Sequence, residues 1–551
     1  MKPSTAFKKS DKFESFAFWG LVVIGLLPLI FTKYYLTLDG PDHIYSGNII
    51  KELLLGNHSE FTNLFKFNPL LVPNWLSHFL FASLNFLFPD YISEKIVIGS
   101  YLILFPFFFR KIILWFAPEN KAFSYLGVLF AHNHLLYLGF YNMAFALVAF
   151  FATIYFILNY VNNINFRQIT ILGLLFLLVY FSHILILLVT IMVALFLPIA
   201  SLKTEKIENG IIVPNWNLFY TKVKVILLAT IPSLILTGIY IFNVDSLGQA
   251  SRLDLEELLL RILDVRPLLT LCYCDDWKYL THVLFALFVL MMGTNLFLLI
   301  RNNCNISEGQ LKINLPKPTY SIIWFLLFIT FTVLYLIVPD ANVLPERLII
   351  LVFIFLCFWL ATQTYPRWLH KTAILVIVVI QFTFSYWYTN AMIGSSNQIE
   401  QMKEVTQYIE PGSLLLPLNY AYNINWLHSH SSGYFGSGKP IVVLENYEGP
   451  LKWFPVNWNS EGPYDLEPIR VWGPDNKNMI VKYFTNPQNP NIFSLPRKDG
   501  KIQEIPYAVI FGKMPDDTDP DYQQIKSILD KSYSLTFQNE FCKLYQLGLK
   551  K

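Results

Sequence analysis

From Phe16 to Tyr388 the chain is a succession of long apolar runs separated by polar segments that carry lysines and arginines. This pattern leaves few folds open. A run of about 20 apolar residues is long enough to cross the hydrocarbon of a bilayer, and inside a bilayer the backbone must satisfy its own hydrogen bonds as a helix. With only 14% charged residues against 54% hydrophobic ones, and a mean hydropathy of +0.44, the 551 residues could not cover a soluble surface of that size. The sequence therefore predicts a polytopic α-helical membrane protein. A net charge of +3 and the lack of a long basic run argue against nucleic acid as a partner.

The basic residues set the expected direction of each span, because lysine and arginine favour the cytoplasmic side. Lys2, Lys8, Lys9 and Lys12 precede the first run, Phe16 to Leu36, which is too long and lacks the small-residue site of a cleavable signal peptide. The N-terminus is thus expected inside. The short run Leu76 to Phe88 is taken to lie flat, since a crossing there would put Arg110, Lys111 and Lys121 outside. Gln168 to Ala200 would make roughly 50 Å of helix, too long for one crossing, and Ser182-His183 divides it into two short spans. Continued in this way, Arg167, Lys203, Lys206, Lys222, Lys224, Arg301, Lys312, Lys317, Arg367 and Lys371 all fall inside. The result is about eleven spans, N-terminus in and C-terminus out.

Near residue 390 the composition changes, with proline, glycine, asparagine and aspartate common and no run of span length. Short β-like runs occur at Ser413–Leu418, Ile441–Leu444 and Tyr507–Phe511, with helix-like pieces at 396–409 and 521–531. The expected organisation is a transmembrane domain over 1–389, including an external loop with interfacial helices at 37–91. A soluble extracytoplasmic α/β or α+β domain follows over 390–551. The five cysteines, Cys272, Cys274, Cys304, Cys357 and Cys542, have no framework spacing and read as unpaired thiols.

The chemistry concentrates in Thr37 to Gly56, directly after the first apolar run. Asp39, Asp42 and His43 lead a segment in which Tyr45, Ile49, Ile50, Leu53 and Leu54 share a face opposite Ser46, Asn48, Lys51 and Glu52. That pattern predicts a helix lying in the membrane interface. The expected topology brings Asp39, Asp42, His43, Tyr141, Asn142, His183, Glu346 and Arg347 to one side of the membrane. Ionisable groups gathered there suit a lipid-linked polar substrate. A carboxylate could take the proton of an acceptor, and Arg347 could hold a phosphate. Asp39 reads equally as a helix cap beside Pro41, and Asp42 as a charge favouring a helix N-terminus. His43 and His183 read equally as helix–helix hydrogen-bonding groups, and His132 and His134 as packing residues. His428 and His430, in LHSHSSGYFGSGKP, read as part of a structural loop rather than as metal ligands.

With LDGPDHIYSGNII after the first span and NPLLVPNWLSHFL beyond it, the chain resembles the GT-C superfamily of integral membrane glycosyltransferases, among them the aminoarabinose transferases and protein O-mannosyltransferases. In that family an acidic motif followed by histidine opens the first external loop. The resemblance extends to GFYN at 139–142 and to the break at Ser182-His183. It implies a polyprenyl-phosphate-linked sugar donor and a glycan, lipid or protein acceptor reached from the outer face. It also implies Asp39 as general base with Asp42 second, and His43, Tyr141, Asn142 and His183 as substrate-binding groups. Arg347 would hold the donor phosphate. Gly40 stands where many relatives have a second acid, and Asn142 where some have aspartate, so the need for a divalent metal ion stays open and no metal ligand is assigned. The expected place is the plasma (cytoplasmic or inner) membrane. Two readings from other classes remain: a transporter or lipid flippase, and a non-catalytic scaffold with an outer binding domain.

Overall fold

The computed structural model describes residues 5–203, 206–208, 211–213, 215–243, 251–271, 274–307, 310–313, 320–341, 343–465, 483–486, 488–513 and 519–548. Among them, eight helices are long and apolar enough to cross a membrane: Asp90–Phe116, Tyr141–Tyr160, Ile184–Leu202, Trp216–Asn243, Asp275–Leu298, Tyr320–Ile337, Leu344–Ala361 and Arg367–Tyr408. This is the polytopic helical membrane fold that the apolar runs predict. The helix Thr5–Gly25 precedes these, and Phe166–Ser182 is a shorter apolar helix.

The chain divides into two compact units. The first, here the helical unit, comprises Met1–Leu27, Ser100–Leu136 and Met143–Tyr388. The second, the mixed unit, comprises Pro28–Gly99, Tyr137–Asn142 and Thr389–Lys551.

In the helical unit, two sequence expectations are modified. The apolar stretch 122–138 is not one continuous helix. A 3-10 turn, Pro118–Ser124, leads into Tyr125–Ala131, and the chain breaks at His132-Asn133 before His134–Tyr137. The Asn133 amide occupies the carbonyls that the break frees, donating to Phe130 O at 2.9 Å and to the Tyr101 hydroxyl at 2.8 Å. The long run from 168 breaks at His183, whose extended backbone ends Phe166–Ser182 and starts Ile184–Phe196. His132 is a packing residue, with Nε2 at 2.7 Å from Gly25 O and its ring 5.1 Å from that of Tyr388. Cys357 is a buried free thiol, but Cys274 is disulfide-bonded. That corrects the reading of five unpaired thiols. Spacing alone takes no account of redox environment, and a disulfide belongs to an oxidising one. Cys272 lies outside the described residues.

In the mixed unit, a five-stranded sheet runs in the order Tyr533–Gln538, Cys542–Leu547, Tyr507–Gly512, Leu414–Tyr420, Val442–Val443. The first two pairings are antiparallel and the last two parallel. The β-like runs read from sequence supply its three inner and edge strands on one side, and Pro520–Ser532 is the expected helix. The other expected helical piece, 396–409, belongs to the 39-residue helix Arg367–Val405, inside which the expected boundary at 389–390 falls.

The first loop folds with this sheet domain as one unit. Phe65–Phe67 pairs antiparallel with Val456–Trp458, and the Phe65 and Trp458 rings stack at 4.5 Å. The helix Gly40–Leu55 begins with Pro41 in its first turn and ends at Gly56, whose φ of 66° lets its N–H reach Glu52 O at 2.9 Å. It is not an interfacial amphipathic helix. Gly40 to Ile50 are buried all round, Ser46 and Asn48 included, and Glu52 is buried too. The short helix Gly433–Ser437 covers the polar face that the periodicity assigns to water. Gly433 and Gly436 allow that approach: a side-chain carbon on the first would come within 2.6 Å of Pro41 O, and on the second within 2.3 Å of the Tyr45 ring. Asn48 Nδ2 donates to Gly436 O at 2.8 Å.

Candidate active site

Asp39, Asp42, His43 and Ser46 follow one another at helical spacing, so they line one face of the first-loop helix. Asp39 stands at the N-cap position, yet its side chain makes no capping bond. Its carboxylate instead accepts the Tyr447 hydroxyl. The loop Tyr137–Asn142 sets its backbone, with Leu38 N donating to Tyr137 O at 3.0 Å and Asp39 N to Leu138 O at 3.2 Å. Gly139, at φ 79°, makes this possible: a side-chain carbon there would stand 2.5 Å from Gly40 N and 2.6 Å from Asp39 N. Gly40 is as constrained. A carbon on it would overlap the hydroxyls of Thr37 and Tyr141, which lie 2.8 Å from each other. The missing second acid thus has a steric cause.

Around Asp39 and Asp42 lies a cluster of carboxylates with one imidazole at its centre. His430 Nε2 is 3.8 Å from Asp39 Oδ1, and its Nδ1 is 3.9 Å from Asp42 Oδ2 and 3.2 Å from Glu445 Oε1. The His430 ring packs against that of Tyr447, 4.7 Å between centroids. Burial alone would lower the His430 pKa. The Glu445 hydrogen bond and the charges of Asp42 and Asp39 outweigh it and raise the value to about 9. Burial raises the pKa of Asp39 and, further, that of Asp42, the His430 charge opposing it in both. Asp42 Oδ1 has no hydrogen-bond partner among the described residues, while Oδ2 accepts from Tyr447 N at 3.4 Å.

A second group adjoins this one on the same helix. His43 Nδ1, His78 Nε2 and the Glu448 carboxylate converge: 3.2 Å between the two nitrogens, 2.6 Å from His43 to Oε1, and 3.0 and 2.9 Å from His78 to Oε1 and Oε2. Ser46 donates to Glu448 Oε2 at 2.5 Å. All three residues are buried, and among the described residues this is the group whose ligand atoms could hold a metal ion. Burial pushes the Glu448 carboxyl up, but the two histidines outweigh it and hold it below the usual range.

Asn142 serves the second group. Its Oδ1 accepts from Ser77 N at 2.8 Å and its Nδ2 donates to Asn74 O at 2.9 Å, fixing the start of the helix Leu76–Asn85 that carries His78. Tyr141 lies against His43 with rings 5.7 Å apart.

His183 and Arg347 belong to the helical unit, where they meet each other: Arg347 Nη1 is 3.2 Å from His183 Nε2. Glu346 pairs there with Arg261. His134, read from sequence as a packing residue, faces Arg266, Nη2 to Nε2 at 3.0 Å.

Sequence reasoning did not single out His78, Glu445, Tyr447 or Glu448, and it placed His430 in a structural loop. The available signal was ENYE at 445–448, two acids and a tyrosine directly after the β-like run Ile441–Leu444.

No family model matches the sequence, and no curated protein matches it. Solved structures do. The crystal structure of ArnT from Cupriavidus metallidurans in the apo state aligns over 98% of this chain and 98% of that one, with a TM-score of 0.52 and 12% identity. The cryo-EM structure of the arabinofuranosyltransferase AftD from mycobacteria aligns over 98% of this chain but 40% of its own length, at a TM-score of 0.49 and 11% identity. The first match shows the fold alone: this chain is built like ArnT over nearly its whole length.

Proposed function

We propose that the chain is a membrane glycosyltransferase that moves a sugar from a polyprenyl-phosphate-linked donor to an acceptor at the outer face of the plasma membrane. Fold alone does not carry function. The observation that carries this reading is Asp39: a buried carboxylate in the first loop of an ArnT-like fold, at a cap position it does not use for capping, held by Tyr447 and compensated by His430.

In this reading Asp39 removes the proton of an acceptor hydroxyl or amine. The freed electron pair attacks the anomeric carbon, the bond to the phosphate oxygen breaks, and polyprenyl phosphate leaves with that pair. Burial favours the step, since a raised carboxylate pKa makes a stronger base near neutral pH. Asp42 stands second for the same task. His43 and Tyr141 line the acceptor side, and Asn142 acts through His78. Arg347, beside His183 in the helical unit, is the group that would pair with a phosphate.

The test is transfer from a panel of labelled polyprenyl-phosphate sugars by the full chain in lipid vesicles, wild type against Asp39→Asn. Wild-type transfer lost in a normally folded variant supports the reading. Passage of labelled solute or lipid across the vesicle with no transfer from any donor would replace it with the transporter. Acceptor binding alone, unchanged in Asp39→Asn, would replace it with the scaffold.

A further inference from the structure

We infer that His43, His78 and Glu448 form a binding site for one divalent transition-metal ion of the zinc class. The argument starts from protons. His78 Nδ1 lies 3.0 Å from the carbonyl oxygen of Asn74, nearer than the Asn142 amide nitrogen at 3.4 Å or the Ser77 hydroxyl at 3.5 Å, which favours the ring proton on that nitrogen. His78 Nε2 is then a lone pair, yet it faces both Glu448 oxygens. The second nitrogen of His43 is taken in the same way by the carbonyl of Gly139, leaving Nδ1 to face Glu448 and His78. Two lone pairs and a carboxylate therefore point at one spot. A single added proton, on His43 Nδ1, satisfies its contact with Glu448 and leaves His78 facing two oxygens as acceptor against acceptor. A second proton puts two N–H groups nose to nose at 3.2 Å, with both rings charged.

A metal ion removes the conflict, because it accepts from all three at once. Two imidazoles and one carboxylate are a donor set that zinc takes with a fourth position open. With Zn–N of about 2.0–2.1 Å, tetrahedral ligand atoms stand roughly 3.3 Å apart. The nitrogens, 3.2 Å apart, already do, and Glu448 must withdraw by about 0.3 Å from His78 and about 0.7 Å from His43. The surroundings are those of a built site. Each histidine has its outward nitrogen tied to a backbone carbonyl, the arrangement that fixes the tautomer of metal-ligating histidines. Asn142 braces the turn carrying Asn74, Ser46 holds one Glu448 oxygen, and the Phe454 ring lies 6.0 Å from His43 and 5.6 Å from His78. The ion would join three distant stretches: the first-loop helix, the helix Leu76–Asn85 and the loop after Val442–Val443.

The site shares His43 with the acceptor side proposed above, but its test reads metal rather than turnover. The full chain, purified in detergent, is stripped with a chelator, dialysed, and titrated with Co²⁺ and then Zn²⁺. About one equivalent of Co²⁺ with a visible-absorption signature of nitrogen and oxygen ligands, displaced by Zn²⁺, is expected. Glu448→Gln and His78→Ala are each expected to weaken Zn²⁺ binding at least ~100-fold. Asp39→Asn should bind the ion as wild type does, which separates this site from the transferase reading. Wild-type protein that takes up neither ion overturns the inference, whether or not the variants fold. So does equal Zn²⁺ binding by wild type and folded Glu448→Gln.

Discussion

Two sets of histidines, one in each compact unit, meet opposite kinds of partner. In the mixed unit, His43, His78 and His430 stand among carboxylates: Asp39, Asp42, Glu445 and Glu448. In the helical unit, His183 and His134 stand against arginines, Arg347 and Arg266. His183 Nδ1 accepts the Leu185 N–H at 3.2 Å, which places the proton of the neutral ring on Nε2, facing the Arg347 guanidinium. Acceptors thus gather around His43, His78 and His430, while His183 and Arg347 set donor against donor; elsewhere in the helical unit His282 meets Asp264 and Arg261 meets Glu346. Groups of one kind brought together in a buried place are costly unless something of the opposite kind joins them. Acceptors ask for a proton or a cation, and donors ask for an anion such as a phosphate.

The comparison can be broken from either side. The largest effect is expected at the acceptor cluster, where Asp39→Asn should lower transfer by ~10²–10⁴-fold with the unfolding midpoint nearly unchanged, since the carboxylate caps nothing. A variant that loses activity only by unfolding would deny Asp39 its role. Next comes the turn behind it. Gly139→Ala must hold a left-handed backbone and displace Asp39 N and Gly40 N, for a loss on the order of 3 kcal/mol, read as a lower midpoint in detergent. On the donor side, Arg347→Ala removes a charge-assisted contact worth about 1.5–3 kcal/mol, or roughly 10–100-fold. It should appear when donors with and without the phosphate are compared, and an equal loss for both would disconnect Arg347 from an anion.

The smallest effect sharpens the role of His430. Its folded pKa, about 9, lies above the ordinary 6.5, so its contribution is complete at low pH and is lost as pH rises through about 9. Asp39, Asp42 and Glu445 are the charges that face it. Stability should fall by about 2 kcal/mol between pH 7 and pH 9, and His430→Gln should flatten that fall. Equal slopes in the two proteins would mean that His430 is not the charge holding the cluster.

The fold was legible because span-length apolar runs admit few structures, and the break at His183 because no single crossing accommodates that length. The helix Gly40–Leu55 was legible in its start and its extent but not in its surroundings. Ser46, Asn48 and Glu52 look like a solvated face to any periodicity argument, and residues about 400 positions later turn Ser46 and Asn48 inward. Asp39, Asp42 and His43 could be found because they are adjacent in sequence and stand beside an apolar run. His78 and Glu448 could not, since a lone histidine in an apolar helix and a lone glutamate in a loop acquire meaning only from each other. Glu346, grouped with the others by level, is taken by Arg261 instead.

The sequence distance from Ser46 to Glu448, 402 residues, carries a consequence for biosynthesis. A ribosome adds roughly 5–20 residues per second, so the first-loop helix waits roughly 20–80 s for the chain that covers its polar face. During that interval Asp39 has neither Tyr447 nor His430, and His43 lacks Glu448. A nascent or truncated chain can therefore be inserted, span by span, without a working acceptor cluster. Competence arrives only with the last third of the molecule, which makes the segment 430–448 a completion signal as much as a part of the site.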